Sequence, residues 1–193
     1  MTSERWADLA KLFERKGPRG GTPMTAGCWC MWWRKRTGDP AKNKRSMRGI
    51  VRADREPGML AYEDGEPVGW VSIASRDEFG QLLTSRQYKP RDTDEGVYSL
   101  VCFYVDPRAK RQGVQAALLD AALAYAKRKG ARAVEAYAHA SDPRDYMGTV
   151  ELFKSAGFKP VRKSGKRTIM RLPLLVRSLP SEATALTHPD ENA

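Results

Sequence analysis

A basic turn that contains glycine is the segment of this chain best suited to bind an anion. It spans Asp106 to Val114 and reads DPRAKRQGV. An apolar run precedes it and a segment rich in alanine and leucine follows, so the turn is predicted to join a strand to a helix. The first amides of a helix have no partner within the helix, and the helix dipole is positive at that end. A phosphate or pyrophosphate site is therefore one interpretation, with Gly113 allowing close approach and Lys110 and Arg111 adding charge. An ordinary basic turn beside a capped helix is the other.

Other chemistries are restricted by the residues that the chain lacks. Neither GxxxxGK[ST] nor GxGxxG occurs, and the only histidines are His139 and His188, which argues against a multi-histidine metal site. Cys28 and Cys30 could bind a metal together with Cys102, but no fourth ligand is evident. We therefore expect no metal, and we interpret the cysteines as reduced thiols of a cytoplasmic protein, with Cys102 buried in a strand.

The charge of +11 is unevenly distributed. Nine basic residues but only two acidic ones lie between Arg34 and Arg55, and the segment from Phe158 to Arg171 has six basic residues and no acidic one. Such a surface attracts polyanions, so nucleic acid, an anionic membrane and a phosphorylated cofactor are candidate partners. Solvated charge without a partner is the alternative. No RNP, zinc-finger or helix-turn-helix pattern is present, so we expect no nucleic-acid partner. The apolar runs are far shorter than the ~20 residues that span a bilayer, and no secretory signal is visible, so no membrane partner is expected.

The pattern of apolar residues and turn signals predicts alternating helices and strands. Helices are expected at Trp6–Phe13, after Asp39-Pro40, at Val114–Lys129 and at Thr149–Ala156. Strands are expected at Met59–Tyr62, Pro67–Ile73, Gly96–Val105, Ala133–Ala138, Phe158–Arg162 and Arg167–Leu172. This order predicts a mixed sheet with helices on its faces. We expect one domain over residues 1–177 and a disordered tail over 178–193, which should be dispensable for folding.

Two segments resemble motifs of the GNAT acetyltransferases. Val105 to Leu119 resembles motif A, which runs V-x-P-x-x-[QR]-x-x-G-x-[GA] into an Ala/Leu helix, and Glu151 to Phe158 resembles motif B, a short helix that ends in Gly-Phe. The resemblance covers about Met59 to Leu172. The segment CWCMWWR, from Cys28 to Arg34, is similar to the signature of a bacterial GNAT subgroup with no assigned substrate.

The resemblance implies a fold, a cosubstrate and a set of binding residues. The fold is an α/β GNAT-like mixed, mostly antiparallel sheet with splayed central strands and helices on both faces. Acetyl-coenzyme A (acetyl-CoA) would lie between the strands at Gly96–Val105 and Ala133–Ala138, and its acetyl group would pass directly to the amine of a small molecule or a protein. The pantetheine arm would contact the backbone near Phe103, Tyr104 and Val105. The pyrophosphate would contact Lys110, Arg111, Gln112, Gly113, Val114, Gln115 and Ala116.

The chain departs from the family pattern at two positions. Gln115 stands where the family prefers glycine or alanine, and Phe153 stands where many members place the tyrosine that protonates the departing thiolate. We expect Phe153 to pack against the pantetheine arm. Tyr146 is the nearest alternative hydroxyl, although water could serve instead and Tyr146 could be structural. Glu135 is a candidate base if its side chain faces the cleft, and otherwise a solvent-facing strand residue.

Three functions follow from these patterns. The first is an acetyl-CoA-dependent N-acetyltransferase, and the second is a non-catalytic GNAT-fold module that binds acyl-CoA or a partner protein, which Phe153 favours. The third, a nucleic-acid-binding protein, is favoured by charge alone. The sequence leaves open the acceptor amine and whether the chain forms a homodimer.

Overall fold

The computed structural model describes residues 1–17, 20–23, 25, 27–140 and 146–174. The tail predicted from Ser178 lies outside these residues. No helix in the described part of the chain is both long and apolar enough to cross a membrane.

The described residues form helices and strands in alternation. The helices are α1 (Trp6–Glu14), α2 (Pro40–Arg52), α3 (Gly80–Thr84), α4 (Val114–Arg128) and α5 (Val150–Ser155). The strands are β1 (Lys16–Gly17), β2 (Gly20–Pro23), β3 (Gly58–Glu63), β4 (Glu66–Ser75), β5 (Val97–Val105), β6 (Ala133–His139), β7 (Lys159–Ser164) and β8 (Arg167–Pro173). Short 3₁₀ turns lie at Ser3–Arg5, Arg76–Glu78 and Pro107–Ala109.

Six strands form one sheet in the order β3-β4-β5-β6-β8-β7, and β1 and β2 form a separate two-stranded sheet. Within the large sheet, β5 and β6 pair in parallel and every other neighbouring pair is antiparallel. This confirms the predicted mixed, mostly antiparallel sheet. The parallel pair is at the centre, where β6 is reached from β5 by way of α4.

Both faces of the large sheet are covered by helices. Because side chains alternate along a strand, Val71 and Ile73 face one side of β4 and Trp70 faces the other. The first side packs against Leu118 and Leu119 of α4. The second forms a core with residues of α1, α2 and the segment before α2, namely Leu9, Leu12, Phe13, Trp29, Met31, Met47 and Val51.

The ends of several predicted elements are defined by their local geometry. The Asp39 side chain accepts hydrogen bonds from the amides of Ala41 and Lys42 and caps α2. Asp64 and Gly65 have φ values of 48° and 78°, as a tight two-residue hairpin requires. The Thr149 side chain caps α5. Helix α3 and the turn before it were not predicted, because the sequence over 76–84 has no helical periodicity.

Gly69 brings the first turn of α4 against the sheet. A Cβ atom at Gly69 would lie 2.8 Å from Val114 Cγ1 and 3.0 Å from Leu118 Cδ1. Both distances are shorter than ordinary contacts, so a side chain at this position would push α4 outward. Glycine at this position therefore allows the start of α4 to pack closely against β4.

We predict opposite effects on stability for the same substitution at two glycines. Gly69→Ala should destabilise the fold by about 1–3 kcal/mol, because the added methyl overpacks the α4 contact. Gly49→Ala in α2 should stabilise it by about 0.5–1 kcal/mol, because its Cβ position has no atom within 4 Å and alanine favours a helix. Chemical denaturation measures both. Equal effects would contradict the close packing at Gly69.

Candidate functional site

The two central strands separate part-way along their length. β5 pairs with β6 only from Val97 to Leu100, opposite Ala133 to Ala136. Beyond that point β5 remains paired with β4, and the rest of β6 remains paired with β8. The register of β5 against β4 shifts between Leu100 and Cys102, which leaves Val101 as a bulge. Because a bulge bends and twists its strand, it accounts for the separation at this position. A cleft therefore opens between the two strands beyond Leu100.

The backbone of β5 presents alternate residues to this cleft. The amide of Asp106 donates to Val68 O at 2.8 Å, towards β4, whereas the amide of Phe103 donates to Tyr146 O on the opposite side. Because these directions alternate along a strand, Val105 faces the cleft like Phe103, and Tyr104 faces β4. Of the three predicted pantetheine contacts, the backbone of Tyr104 is therefore directed away from the cleft.

The segment from Tyr146 to Thr149 bridges the separated strands. The Tyr146 carbonyl accepts from Phe103 on β5, and the Gly148 carbonyl accepts from the amide of His139 on β6 at 3.1 Å. Any ligand contact to the Phe103 amide would compete with the first of these bonds. Val105 is therefore the better placed of the two for backbone pairing with a ligand. The sequence gives no signal for this bridging segment.

The predicted anion-binding turn lies at the end of β5, next to the cleft. Gly113 has φ 78° and is the N-cap of α4, and the first helical hydrogen bond runs from the amide of Ala117 to Gly113 O at 3.0 Å. The amides of Val114, Gln115 and Ala116 precede that bond, so they are the leading donors of the helix. A Cβ atom at Gly113 would have no atom within 4 Å, so the approach to these amides is open.

Most side chains around that approach are exposed. Those of Lys110, Arg111, Gln112 and Ala116 are exposed, and those of Val114 and Gln115 are half-buried. The arrangement fits an anionic group such as a pyrophosphate, because backbone donors and a positive dipole end lie there and the turn just before them carries Lys110 and Arg111.

Asp106 holds this turn in place from beneath. Its carboxylate is 2% exposed and accepts from the Arg108 amide at 2.9 Å and from the Arg108 guanidinium at 3.0 and 3.1 Å. Arg15, from the end of α1, donates to the same carboxylate. Burial raises the pKa of Asp106, but the hydrogen bonds from Arg108 and Arg15 outweigh it and hold that pKa well below its usual range. The sequence analysis placed Asp106 at the start of this turn but assigned it no role, and it did not identify Arg15.

Glu135 lies before the point where the strands separate. It is 5% exposed and forms ion pairs with Arg171 at 2.7 Å and Arg76 at 3.3 Å, and the Tyr137 hydroxyl donates to it at 3.3 Å. Neither sequence-based alternative, a base in the cleft or a solvent-facing residue, describes this buried carboxylate. Its charge is balanced by two guanidinium groups, so we assign it no catalytic role below.

Phe153 packs between Phe103 of β5 and Gly148 of the bridging segment. Its side chain is fully buried, and its ring centroid is 6.2 Å from that of Phe103 and 5.2 Å from that of Phe158. Gly148 covers it so closely that a Cβ atom there would lie 2.9 Å from Phe153 Cε2. The predicted contact with a pantetheine arm therefore has no exposed surface to form on.

Tyr146 stands at the mouth of the cleft with 47% of its surface exposed. Its ring centroid is 6.4 Å from that of Tyr104. Burial raises the pKa of the Tyr146 hydroxyl, and the thiols of Cys102 and Cys28 raise it further. The hydroxyl is therefore protonated at neutral pH and able to donate a hydrogen bond.

The cysteines lie on the α1 and α2 side of the sheet. Cys30 is buried and accepts a hydrogen bond from Trp70 Nε1 at 3.0 Å. A hydrogen bond from Cys102 is the main cause that lowers the pKa of Cys30. Within the described ranges, no group of three His, Cys, Asp or Glu side chains could hold a metal ion.

Comparison with known proteins identifies the family. The model of the acetyltransferase (GNAT) family matches residues 25–158, so the chain belongs to this family and is an N-acetyltransferase. No curated protein shows significant similarity to the chain.

Several solved structures share the fold. A ribosomal-protein-alanine N-acetyltransferase from Brucella melitensis aligns with a TM-score of 0.55 and 15% identity, covering 90% of this chain and 97% of its own. The Salmonella typhimurium protein yncA, solved with its cofactor acetyl-CoA, gives 0.56 and 17%, covering 92% and 94%. Aminoglycoside acetyltransferase AAC(6')-Ib, solved with coenzyme A, gives 0.57 and 15%, covering 90% and 91%. At these identities the likeness extends to the fold alone.

We predict that Asp106→Asn lowers stability at neutral pH by about 1–3 kcal/mol, because it removes a carboxylate that two guanidinium groups bind. Since the pKa of Asp106 is lower in the folded chain, its stabilisation is complete above the usual aspartate pKa of about 3.9 and declines as the pH falls below it. The melting temperatures of wild type and variant should therefore converge in acid. Asp120→Asn, at an exposed position of α4, is the control. It should change neither the stability at neutral pH nor the way the melting temperature depends on pH. A gap that is constant from pH 7 to pH 3 would contradict the assignment.

Proposed function

We propose that this chain binds acetyl-CoA in the cleft between β5 and β6 and transfers the acetyl group directly to an amine held in the same complex. The proposal rests on the observation that the separation of β5 from β6 and the start of α4 lie next to each other. The central strands separate beyond Leu100, and the uncapped amides of α4 begin where β5 ends. One feature suits an extended amide-containing arm and the other suits a pyrophosphate.

Different residues of the chain would bind the pyrophosphate and the extended arm of acetyl-CoA. The amides of Val114, Gln115 and Ala116 donate to the pyrophosphate, while Lys110 and Arg111 supply cations around it. The backbone of Val105 pairs with the arm at the edge of β5. Gln115 is compatible with this arrangement because it is only half-buried in the first turn of α4 and leaves its amide at the helix end.

Acetyl transfer from a thioester requires a positioned amine, a route for the amine proton and a proton for the leaving thiolate. If the thiol of coenzyme A resembles cysteine, its pKa is roughly 8.5, so the thiolate is a fair leaving group without a dedicated acid. Phe153 donates no proton. Tyr146 is the hydroxyl nearest to this role, but its raised pKa makes it a weaker acid than an ordinary tyrosine. Water is therefore the donor that we favour.

The acceptor is an amine of a small molecule or a protein. The names of two similar structures specify a ribosomal-protein alanine and an aminoglycoside, so one fold serves both classes of acceptor. Release of coenzyme A thiol in the presence of a panel of amines tests the transfer. Binding of acetyl-CoA without thiol release for any amine would favour the non-catalytic module instead.

We predict that Gly113→Val weakens acetyl-CoA binding at least tenfold, because the branched side chain occupies the approach to the α4 amides and disfavours φ 78°. Gly130→Val is the matched control, since Gly130 has φ 74° at the other end of α4 and equally open surroundings. Isothermal titration calorimetry should find near wild-type affinity in the control. Equal losses in both variants, or none in Gly113→Val, would remove the pyrophosphate site.

We predict that Tyr146→Phe lowers kcat by no more than about threefold, far below the ~10²–10⁴-fold typical of general acid catalysis. The affinity for acetyl-CoA should stay nearly unchanged. Tyr62→Phe, at a tyrosine that is also exposed, is the control. A loss of a hundredfold or more in kcat with intact affinity would instead identify Tyr146 as the acid, and an equal loss of rate and affinity would make it a binding residue.

A further inference from the structure

The exposed face of α2 consists almost entirely of basic and small residues. Asn43, Met47 and Val51 form the buried face. The basic residues on the exposed side are Lys42, Arg45, Arg48 and Arg52. The 13 residues of α2 include no acidic residue, and the remaining exposed positions are proline, alanine, serine and glycine.

These basic residues repel one another along the helix. Lys42 and Arg45 are three residues apart, as are Arg45 and Arg48, and each such pair of like charges costs about 0.2–0.5 kcal/mol. In the part of the chain that the structure describes, none of the four forms an ion pair, whereas Lys44 on the flank pairs with Glu14. Arg48 has one internal contact, because its guanidinium lies over the Trp6 ring at 5.7 Å from the ring centroid. The carboxylate of Asp39 is the N-cap of the helix, and it also attracts the charges of Lys42 and Arg45. The helix is therefore stabilised by its cap and its buried face in spite of its exposed charges.

Gly49 adds a second local cost on the same face. Glycine within a helix costs about 0.5–1 kcal/mol relative to alanine. Among the described residues, no atom lies within 4 Å of the position that a Cβ would take, so packing against them gives no reason for glycine here. Gly49 follows Arg45 by four residues and precedes Arg52 by three. Because it has no side chain, it leaves a shallow depression in the helix surface between two guanidinium groups. Local costs without an internal benefit are expected at functional surfaces.

We propose that this face of α2, formed by Lys42, Arg45, Arg48, Gly49 and Arg52, binds the phosphodiester backbone of a nucleic acid. Three of its four cations are arginine, whose planar fork binds phosphate oxygens in pairs. The depression at Gly49 lets the backbone of a nucleic acid, which carries a charge at every phosphate, lie close to the helix. The sequence analysis expected no nucleic-acid partner because no recognition motif is present, but contacts to phosphates require none.

This surface is separate from the proposed acetyl-CoA site. α2 packs with Trp70 and Tyr104 on one face of the sheet, whereas α4 packs with Val71 and Ile73 on the other. The inference therefore does not depend on the proposed function, and either can fail without the other.

The test compares two variants with the same change of charge. In the first, Lys42, Arg45 and Arg52 are replaced by glutamine. In the second, Lys159, Lys163 and Lys166, which are exposed on the β7–β8 hairpin, are replaced by glutamine. Binding to a labelled 20-nucleotide single-stranded RNA and to a 20-base-pair DNA duplex is followed by fluorescence anisotropy over a range of salt concentrations. Vesicles containing phosphatidylserine are a third probe.

We expect the α2 variant to lose at least tenfold in affinity for one or both nucleic acids. Its slope of log K against log [salt] should fall by about 2–3, since each phosphate contact contributes roughly 0.7–0.9. The hairpin variant should retain most of its affinity. Equal losses in both variants, an absence of nucleic-acid binding by the wild type, or binding to the vesicles alone would each overturn the proposal. The two nucleic-acid probes distinguish RNA from DNA as the source of the phosphates.

Stability provides the second readout. Because the α2 variant loses like-charge repulsion, its melting temperature should stay the same or rise. Gly49→Glu, which places a carboxylate near Arg45 and Arg52, should also keep the fold stable while it weakens nucleic-acid binding at least threefold. If Gly49→Glu folds normally and binds as tightly as the wild type, the α2 face is not the binding surface.

Discussion

The end of pairing between β5 and β6 is the constraint on which the site depends. Each strand stays paired with its outer neighbour, β5 with β4 and β6 with β8. The bulge at Val101 follows the last parallel pair, Leu100 with Ala136, and turns β5 away from β6. The backbone groups of an open strand edge need partners. The Tyr146 carbonyl binds the edge of β5 and the Gly148 carbonyl binds the edge of β6. Val105 lies further along the edge of β5. An extended ligand with amide groups can complete it.

The position of α4 links this edge to a site for negative charge. Asp106 directly follows β5 and binds Arg108 and Arg15, while Gly69 allows Val114 to approach the sheet. The helix therefore begins beside the cleft, with its leading amides and positive dipole end directed to the space that an arm in the cleft would reach. The departure at Phe153 changes less than the motif comparison implies, because that ring is fully buried and because, in the transfer that we propose, a thiolate is a fair leaving group without a dedicated acid.

Local features of the site could be predicted from the sequence, and long-range ones could not. The strand, the turn with Gly113 and the start of α4 follow from turn chemistry and apolar periodicity within a short stretch of chain. The partners of Asp106 and Glu135 come from distant segments: Arg15 is 91 residues from Asp106, and Arg76 is 59 residues from Glu135. The spacing of apolar residues along the sequence contains no information about ion pairs between such distant segments. The bulge at Val101 and the bridging segment from Tyr146 to Thr149 depend in the same way on tertiary packing. The basic character of α2 was visible in the sequence, but it required the structure to show that its four exposed cations form no ion pair with the described residues.

Hydrogen–deuterium exchange with and without acetyl-CoA tests the central claim most directly, because it reports on the backbone groups that the account assigns to binding. Acetyl-CoA should slow exchange at the amides of Val105, Val114, Gln115 and Ala116, and it should leave the paired amides from Val97 to Leu100 unchanged. Saturating acetyl-CoA with no protection at the end of β5 and the start of α4, or with protection confined to α2, would contradict the account.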